Sequence, residues 1–385
     1  MPKKYWTVQT KIAIDNQCIL CIAKRGRIFE RKKALEIKEG LKAVKMAKVV
    51  AVKTERKSLQ RPQALNTVEM LKSASTGLGM SPHHTMQIAE RLYMQGYISY
   101  PRTETTKYPP NFDLNGALKD IKGNSPWAGE VDSLIKEGFS HPEGGKDVGD
   151  HPPITPMRLA SEYDLSGDSW RLYDFICRYF VGSLMPNCKY LRTQVTLSVG
   201  GELFECSGRR VVVPGFTSVM HWRTIAEEGG EDEKESLPAK LETLQDQEIE
   251  LTEVNLREGE TTPPDYLTES DLIEQMEKLG IGTDASMAVH ISNICDRRYT
   301  SVQGNRRFMV PSNLGIVVIH GYQKIDPELA LPTLRSAMEK KITLIAEAKA
   351  KDTSILEEEL KIYSSKFVNL TEKVRRSMYE LLNSD

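Results

Sequence analysis

The run Gly96-Tyr97-Ile98-Ser99-Tyr100-Pro101-Arg102-Thr103-Glu104-Thr105 places a phenol and a guanidinium two positions apart with a proline between them. Pro101 disfavours the helical region for Tyr100, so the tyrosine is expected in an extended conformation. In such a segment residues i and i+2 project to one face, about 7 Å apart along the backbone. A phenolic oxygen can form covalent intermediates, and a neighbouring guanidinium can grip phosphate oxygens in a two-pronged fork. The pair suits attack on a phosphodiester. It also suits a tyrosine packed into a core with Arg102 in solvent, and the ten residues alone leave both open.

The elements that must position this segment come in blocks. Residues 5–58 alternate like strands, with a basic helical stretch at 34–46. From Asn66 the pattern is mostly helical to about Met185. Strand-like alternation returns over 189–225, with Val195, Leu197 and Val199 in register and a turn at Gly200-Gly201. An acidic run at 227–235 reads as a solvated loop, 248–254 as another strand, and from Thr268 the chain is helical again. The expected fold class is α+β and multidomain. A β-rich arch is built from 1–61 and 187–262, a helical insert at 62–186 carries Tyr100, and a second helical domain spans 263–385. The helices after Leu331 read as packing.

The two helical blocks repeat with an offset of 202 residues. Asn66 and Thr268 are N-cap types, each followed three residues on by an acid, Glu69 or Asp271. A glycine-containing turn follows each first helix. Then come new cap types, Ser81 or Thr283, and an aromatic expected to open a strand, Tyr97 or Tyr299. Helix, turn, helix and strand outline a winged helix-turn-helix, a shape used for nucleic acid and also for protein partners. The second wing is expected over 299–302 and 307–310, which sets Tyr100 opposite Val302. His83 and His84 are expected to face solvent.

The 385 residues suggest two to four domains. Net charge is −1, yet residues 1–110 hold 21 Lys+Arg against 8 Asp+Glu, while the remainder holds 31 against 45. A basic amino-terminal portion suits a polyanion as well as a merely solvated surface. No apolar run approaches a membrane span, and the start lacks a signal-peptide core. Six scattered cysteines fit a reducing compartment. Cys18 and Cys21 have the spacing of half a zinc site without a second pair, so both are expected as buried thiols and no metal site is assigned.

Residues 96–105 resemble the active-site tyrosine motif of type IA DNA topoisomerases. Asp150-His151-Pro152-Pro153-Ile154-Thr155-Pro156 resembles that family's histidine segment, and Leu279-Gly280-Ile281-Gly282-Thr283-Asp284-Ala285-Ser286 its later helical domain. Together with Gln60-Arg61-Pro62 and Pro263-Pro264-Asp265, the wording is similar to the eukaryotic topoisomerase III beta branch. The resemblance covers nearly the whole chain.

It implies that Tyr100 becomes linked to a 5′-phosphate and that Arg102 stabilises charge on the scissile phosphate. His151 would orient it, and Thr283, Asp284 and Ser286 would approach the nucleic acid at a helix start. It further implies single-stranded DNA as substrate, with RNA a second substrate for some members. An accessory scaffold protein, a nuclear and in part cytoplasmic location and no use of ATP are implied as well. The family's Mg²⁺ sits in an acidic domain with no counterpart among residues 1–60, and its carboxyl-terminal zinc modules have none either. The chain is therefore expected to be a fragment that is weak or inactive alone. A nucleic-acid clamp is the alternative, and a tyrosine recombinase fits poorly because no His-x-x-Arg box leads to the tyrosine.

Overall fold

The computed structural model describes residues 2–14, 17–142, 144–223, 237–238, 240 and 243–383. It divides into two compact units: Met1–Pro62, Ser133–His141 and Val181–Asp265 in one, Gln63–Asp132, Pro142–Phe180 and Tyr266–Asp385 in the other. The acidic run at 227–235 lies outside the described residues.

The first unit holds β1 (Lys4–Ile14), β2 (Gln17–Ala23), α1 (Arg31–Leu41), β3 (Met46–Leu59), β4 (Cys188–Val199), β5 (Glu202–Val213) and β6 (Glu248–Glu260). The strands close into an antiparallel barrel in the order β1-β2-β5-β4-β3-β6. Alternation explains the closure. Val195, Leu197 and Val199 turn inward to meet Val8, Ile12, Ile19, Val49 and Phe204 in one buried cluster, while Thr196 and Ser198 stay half-buried. Each such side chain contributes about 1.5–3 kcal/mol by leaving water. On the outer face Lys4 and Lys11 of β1 pair with Glu258 and Glu253 of β6 at 2.7 and 2.8 Å.

Three expectations need correction in this unit. The basic helix is α1, ending at Leu41 rather than 46: Leu41 is its last buried position, the Val44 amide folds back on the Leu41 carbonyl, and Met46 opens β3. Strand structure stops at Val213, because Pro214 leads into a short 3-10 turn at Gly215–Ser218. Cys21 is buried but Cys18 is exposed. An odd spacing in a strand sends two side chains to opposite faces.

The second unit contains α2 (Thr67–Ser73), α3 (Pro82–Met94), α4 (Leu114–Lys122), α7 (Glu269–Leu279), α8 (Met287–Asp296), β7 (Thr300–Gln303), β8 (Phe308–Pro311), α9 (Asn313–Ile325), α10 (Pro332–Ala346) and α11 (Asp352–Asn383). Two more helices, α5 (Ala128–Glu137) and α6 (Gly167–Leu184), contribute to both units. Fully buried Trp127 donates its indole N–H to the Ile121 carbonyl at 3.0 Å and stacks on Trp170.

The repeat is visible in the caps. The Asn66 side chain accepts from the Glu69 amide, and Thr268 with Asp271 closes a full capping box. After α2 the chain widens into a π turn at Ala74–Leu78, which absorbs one extra residue before Gly79 takes the left-handed position that Gly280 takes after α7. Both second helices end alike. Gly96 and Arg298 are left-handed at φ 74° and 59°, and the amides of Tyr97 and Tyr299 reach back five residues to the carbonyls of Leu92 and Ile294. That is the Schellman closure.

The copies then part. In the second, β7 and β8 pair as a ribbon, Thr300 opposite Pro311 through Gln303 opposite Phe308. In the first, Tyr97 opens no strand: Ile98 makes one isolated bridge to Pro156. Thr283 is also not the cap of α8, whose flanking residue is Ser286. With Gly282 at φ 79°, the Thr283 amide donates to the Ser286 hydroxyl and the Thr283 carbonyl accepts from Met287, so 283–286 is a closed turn before the helix.

Candidate active site

Residues 97–105 run between the start of α2 and the segment 148–157. From the α2 side, Thr67 accepts from the Thr103 amide at 2.9 Å and its hydroxyl donates to the Pro101 carbonyl at 2.7 Å. From the other side, the Ser99 amide donates to the Thr155 carbonyl, the Thr155 amide donates to the Ser99 hydroxyl, and the Met157 amide donates to the Tyr97 carbonyl. Pinned on both sides, the segment alternates: Pro101, Thr103 and Thr105 are buried, while Tyr100, Arg102 and Glu104 remain partly open.

The Tyr100 ring packs edge-on against His151 at 4.5 Å and against Tyr93 at 5.1 Å. His151 is exposed, and its place is set through its backbone, since its carbonyl accepts from the Thr103 hydroxyl. The structure therefore brings Tyr100 and His151 together. Arg102 turns to α3 and to the 283–286 turn. Its Nε and Nη2 converge on Glu90 Oε1 at 3.0 and 2.5 Å, and its Nη1 donates to the Ala285 carbonyl at 3.0 Å. Within that turn Thr283 is exposed, Asp284 and Ser286 are half-buried, and Ser286 spends its hydroxyl as acceptor for the Thr283 amide.

Two residues without an assigned role in the sequence are central here. Asp150 accepts from the Glu104 amide at 2.7 Å and from the hydroxyls of Thr103 and Thr105. Burial works against its ionisation, but these hydrogen bonds outweigh it and hold the carboxyl below its ordinary value. Glu104 moves the opposite way. Burial raises it above its ordinary value against the pull of Lys146, and the charges of Asp284, Asp150 and Glu277 add to the rise. Glu90 is the second residue. The signal for Asp150 was its place beside His151, facing a run rich in hydroxyls. Glu90 gave no signal, because nothing local shows which helix face the returning chain will meet. His84 also gains a partner: it lies exposed but 3.0 Å from Asp168, which holds Arg171 as well.

These carboxylates do not fit a magnesium site. Asp150 is committed to three donors, and among the described residues no three His, Cys, Asp or Glu side chains gather as metal ligands. No helix among the described residues is long and apolar enough to cross a membrane.

The second unit also holds a clamp. Glu269, 2% exposed, receives Arg307 through Nε and Nη2 at 2.5 and 3.0 Å and the Ser75 hydroxyl at 3.0 Å, while Arg307 Nη1 donates to the Gly79 carbonyl. The clamp ties the π turn after α2 to the start of α7 and to the ribbon.

Residues 1–357 match the family model described as DNA topoisomerase. The chain is 50% identical over 367 residues to DNA topoisomerase 3-beta-1 of Homo sapiens, covering 95% of this chain and 41% of that protein. It is 46% identical to DNA topoisomerase 3-beta of Arabidopsis thaliana over 373 residues, 97% of this chain and 42% of the relative. The chain thus spans about two-fifths of the length of the curated relatives it matches. Among solved structures, full-length topoisomerase I from Thermotoga maritima shares the fold with a TM-score of 0.74 at 24% identity, over 95% of this chain and 59% of that one. The chain belongs to the DNA topoisomerase family and resembles the 3-beta members of its type IA branch.

Proposed function

We propose that this chain is the tyrosine-bearing part of a type IA topoisomerase, working by reversible transesterification at Tyr100. The phenolic oxygen attacks the phosphorus of one strand, the bond from phosphorus to the 3′ oxygen breaks, and that oxygen takes a proton. The strand is left joined to Tyr100 through its 5′-phosphate. Passage of another strand and return of the 3′-hydroxyl complete the cycle. The phosphotyrosine keeps the energy of the original bond, so ATP has no part. Arg102 holds the scissile phosphate, His151 orients it from across the tyrosine ring, and 283–286 lies along the strand.

The observation that carries this reading is the alternation that leaves Tyr100 and Arg102 partly open while Pro101 and Thr103 between and beside them are buried and anchored. A neutral phenol is a weak nucleophile and its leaving group needs a proton. The acidic, magnesium-binding part that the family uses for this would come from outside these residues. The second helix–turn–helix copy, with its ribbon, would serve as a winged-helix module on single-stranded DNA or RNA and the first as its wingless counterpart, in the nucleus and cytoplasm, beside a scaffold protein. The helical domains would be 62–186 and 263–385, and the β-rich arch 1–61 with 187–262.

Mixing the chain with a single-stranded oligonucleotide and Mg²⁺ and then denaturing it tests the proposal. A covalent adduct that disappears in Tyr100→Phe supports it. Salt-sensitive binding with no adduct supports the second reading, a nucleic-acid clamp, which the prior commitment of Arg102 to Glu90 favours.

A further inference from the structure

We propose that Glu90 is the resident counter-ion of Arg102, occupying the guanidinium edge that a nucleic-acid phosphate takes and so setting how readily Arg102 accepts one. The proposal rests on the nucleic-acid reading above and adds to it a residue that tunes the site.

A guanidinium offers five N–H groups, and the edge formed by Nε and Nη2 matches carboxylate and phosphate alike. In this chain both N–H groups of that edge point at one oxygen of Glu90. Two anions cannot share the edge, so phosphate enters by displacing the carboxylate. Glu90 stands on rigid ground. The neighbouring α3 positions Ile88, Ala89 and Leu92 are buried, which fixes the helix face from which it reaches Arg102.

The third contact has a different fate. Nη1 is held by the Ala285 carbonyl, off the shared edge, so Arg102 can exchange Glu90 for phosphate while staying moored to the 283–286 turn. A strand lying on that turn would present its phosphate to a guanidinium already aimed. Around Glu104, two residues along from Arg102, Asp284, Asp150 and Glu277 already place negative charge, relieved by Lys146. A phosphate arriving there is better accommodated when the Glu90 carboxylate leaves than when it stays.

The pair is partly solvated, with side chains 26% and 40% exposed, so its strength is that of a surface ion pair and its removal produces a modest effect. Binding of a fluorescein-labelled oligothymidylate to the 385-residue chain, followed by anisotropy across a salt series, measures it. Glu90→Gln, near-isosteric, should tighten binding about three- to fivefold at 0.1 M salt, and the salt slope should steepen by up to about 0.7, because no displaced carboxylate is left to gather a cation in place of those the phosphate releases. In an Arg102→Met background the same change should do nothing, which separates the pair from a general loss of negative charge. Unchanged or weaker binding by Glu90→Gln, or equal tightening without Arg102, overturns the proposal while leaving the nucleic-acid reading in place. A parent chain that does not bind the oligonucleotide overturns both.

Discussion

Asp150 should be worth more to the tyrosine segment than its exposed position suggests. Its carboxylate accepts from the Glu104 amide and the Thr103 and Thr105 hydroxyls. Thr103 and Thr105 are 0% and 2% exposed. Thr103 keeps the His151 carbonyl as an acceptor if Asp150 is lost, but the Thr105 proton loses its carboxylate. A buried hydroxyl without its acceptor costs about 1–3 kcal/mol. The Glu104 amide adds little because it can turn to water. The expected loss in Asp150→Ala is about 2 kcal/mol, local to the segment, which corresponds to roughly thirtyfold faster exchange of the Glu104 amide hydrogen. The carboxyl is held below its ordinary value of 3.8. Its contribution is therefore fully present above that value and disappears as pH falls through the lower folded one. The ratio of exchange rates between variant and parent should be constant above about pH 5 and shrink toward one in stronger acid. A ratio below threefold at neutral pH, or one indifferent to acid, would refute the argument that this carboxylate pins the segment.

Three further substitutions test the scaffold. Arg307→Leu leaves the buried Glu269 carboxylate with Ser75 alone and should destabilise the chain by about 3–5 kcal/mol, whereas replacing both partners by apolar residues should recover most of it. Thermal unfolding of the single and double variants decides this, and a double variant no better than the single contradicts it. Gly96→Ala, at φ 74° with nothing within 4 Å of the added methyl, should cost about 1 kcal/mol through backbone strain alone. Arg298→Gly at the matching left-handed position should gain a few tenths to 1 kcal/mol. Melting temperatures moving in the same direction for both changes would break the equivalence of the two copies.

What was legible in the sequence was local. Asn66, Ser81 and Thr268 announced their helices because a cap bonds an amide two or three residues away. Thr283 misled because its amide is taken up by the Ser286 hydroxyl in a closed turn, so α8 starts only after Ser286, and the pattern cannot rank the two hydroxyl residues. The β4 alternation was legible, but the partners that complete the barrel were not, since β1 meets β6 across more than two hundred residues. At the site, Tyr100 and Arg102 were apparent from type and spacing. Glu90 and Asp150 were not, because the bonds that give them meaning form only when α3 and the 148–157 segment are folded against the loop.

The divergence of the two copies explains why only one presents a partly open tyrosine on a segment held from its other side. After the same Schellman turn, the second copy folds back through Gly304 into a self-paired ribbon, and its backbone groups are spent in the ladder. The first copy has no such local partner. Its chain is met by residues from some fifty positions further on, after α4 and α5 have intervened, and those offer a single bridge and a set of side-chain bonds. Thr67, Ser99, Thr103 and Asp150 therefore do the holding that a ladder does elsewhere. Such bonds grip one face and leave the other available, and a segment fixed from behind has little entropy left to lose when something binds its front. Tyr100, at the register position of Val302, has that front. A ribbon in the first copy would turn the same position into a packing site, so the loss of the wing strand and the presence of the phenol belong to one structural change.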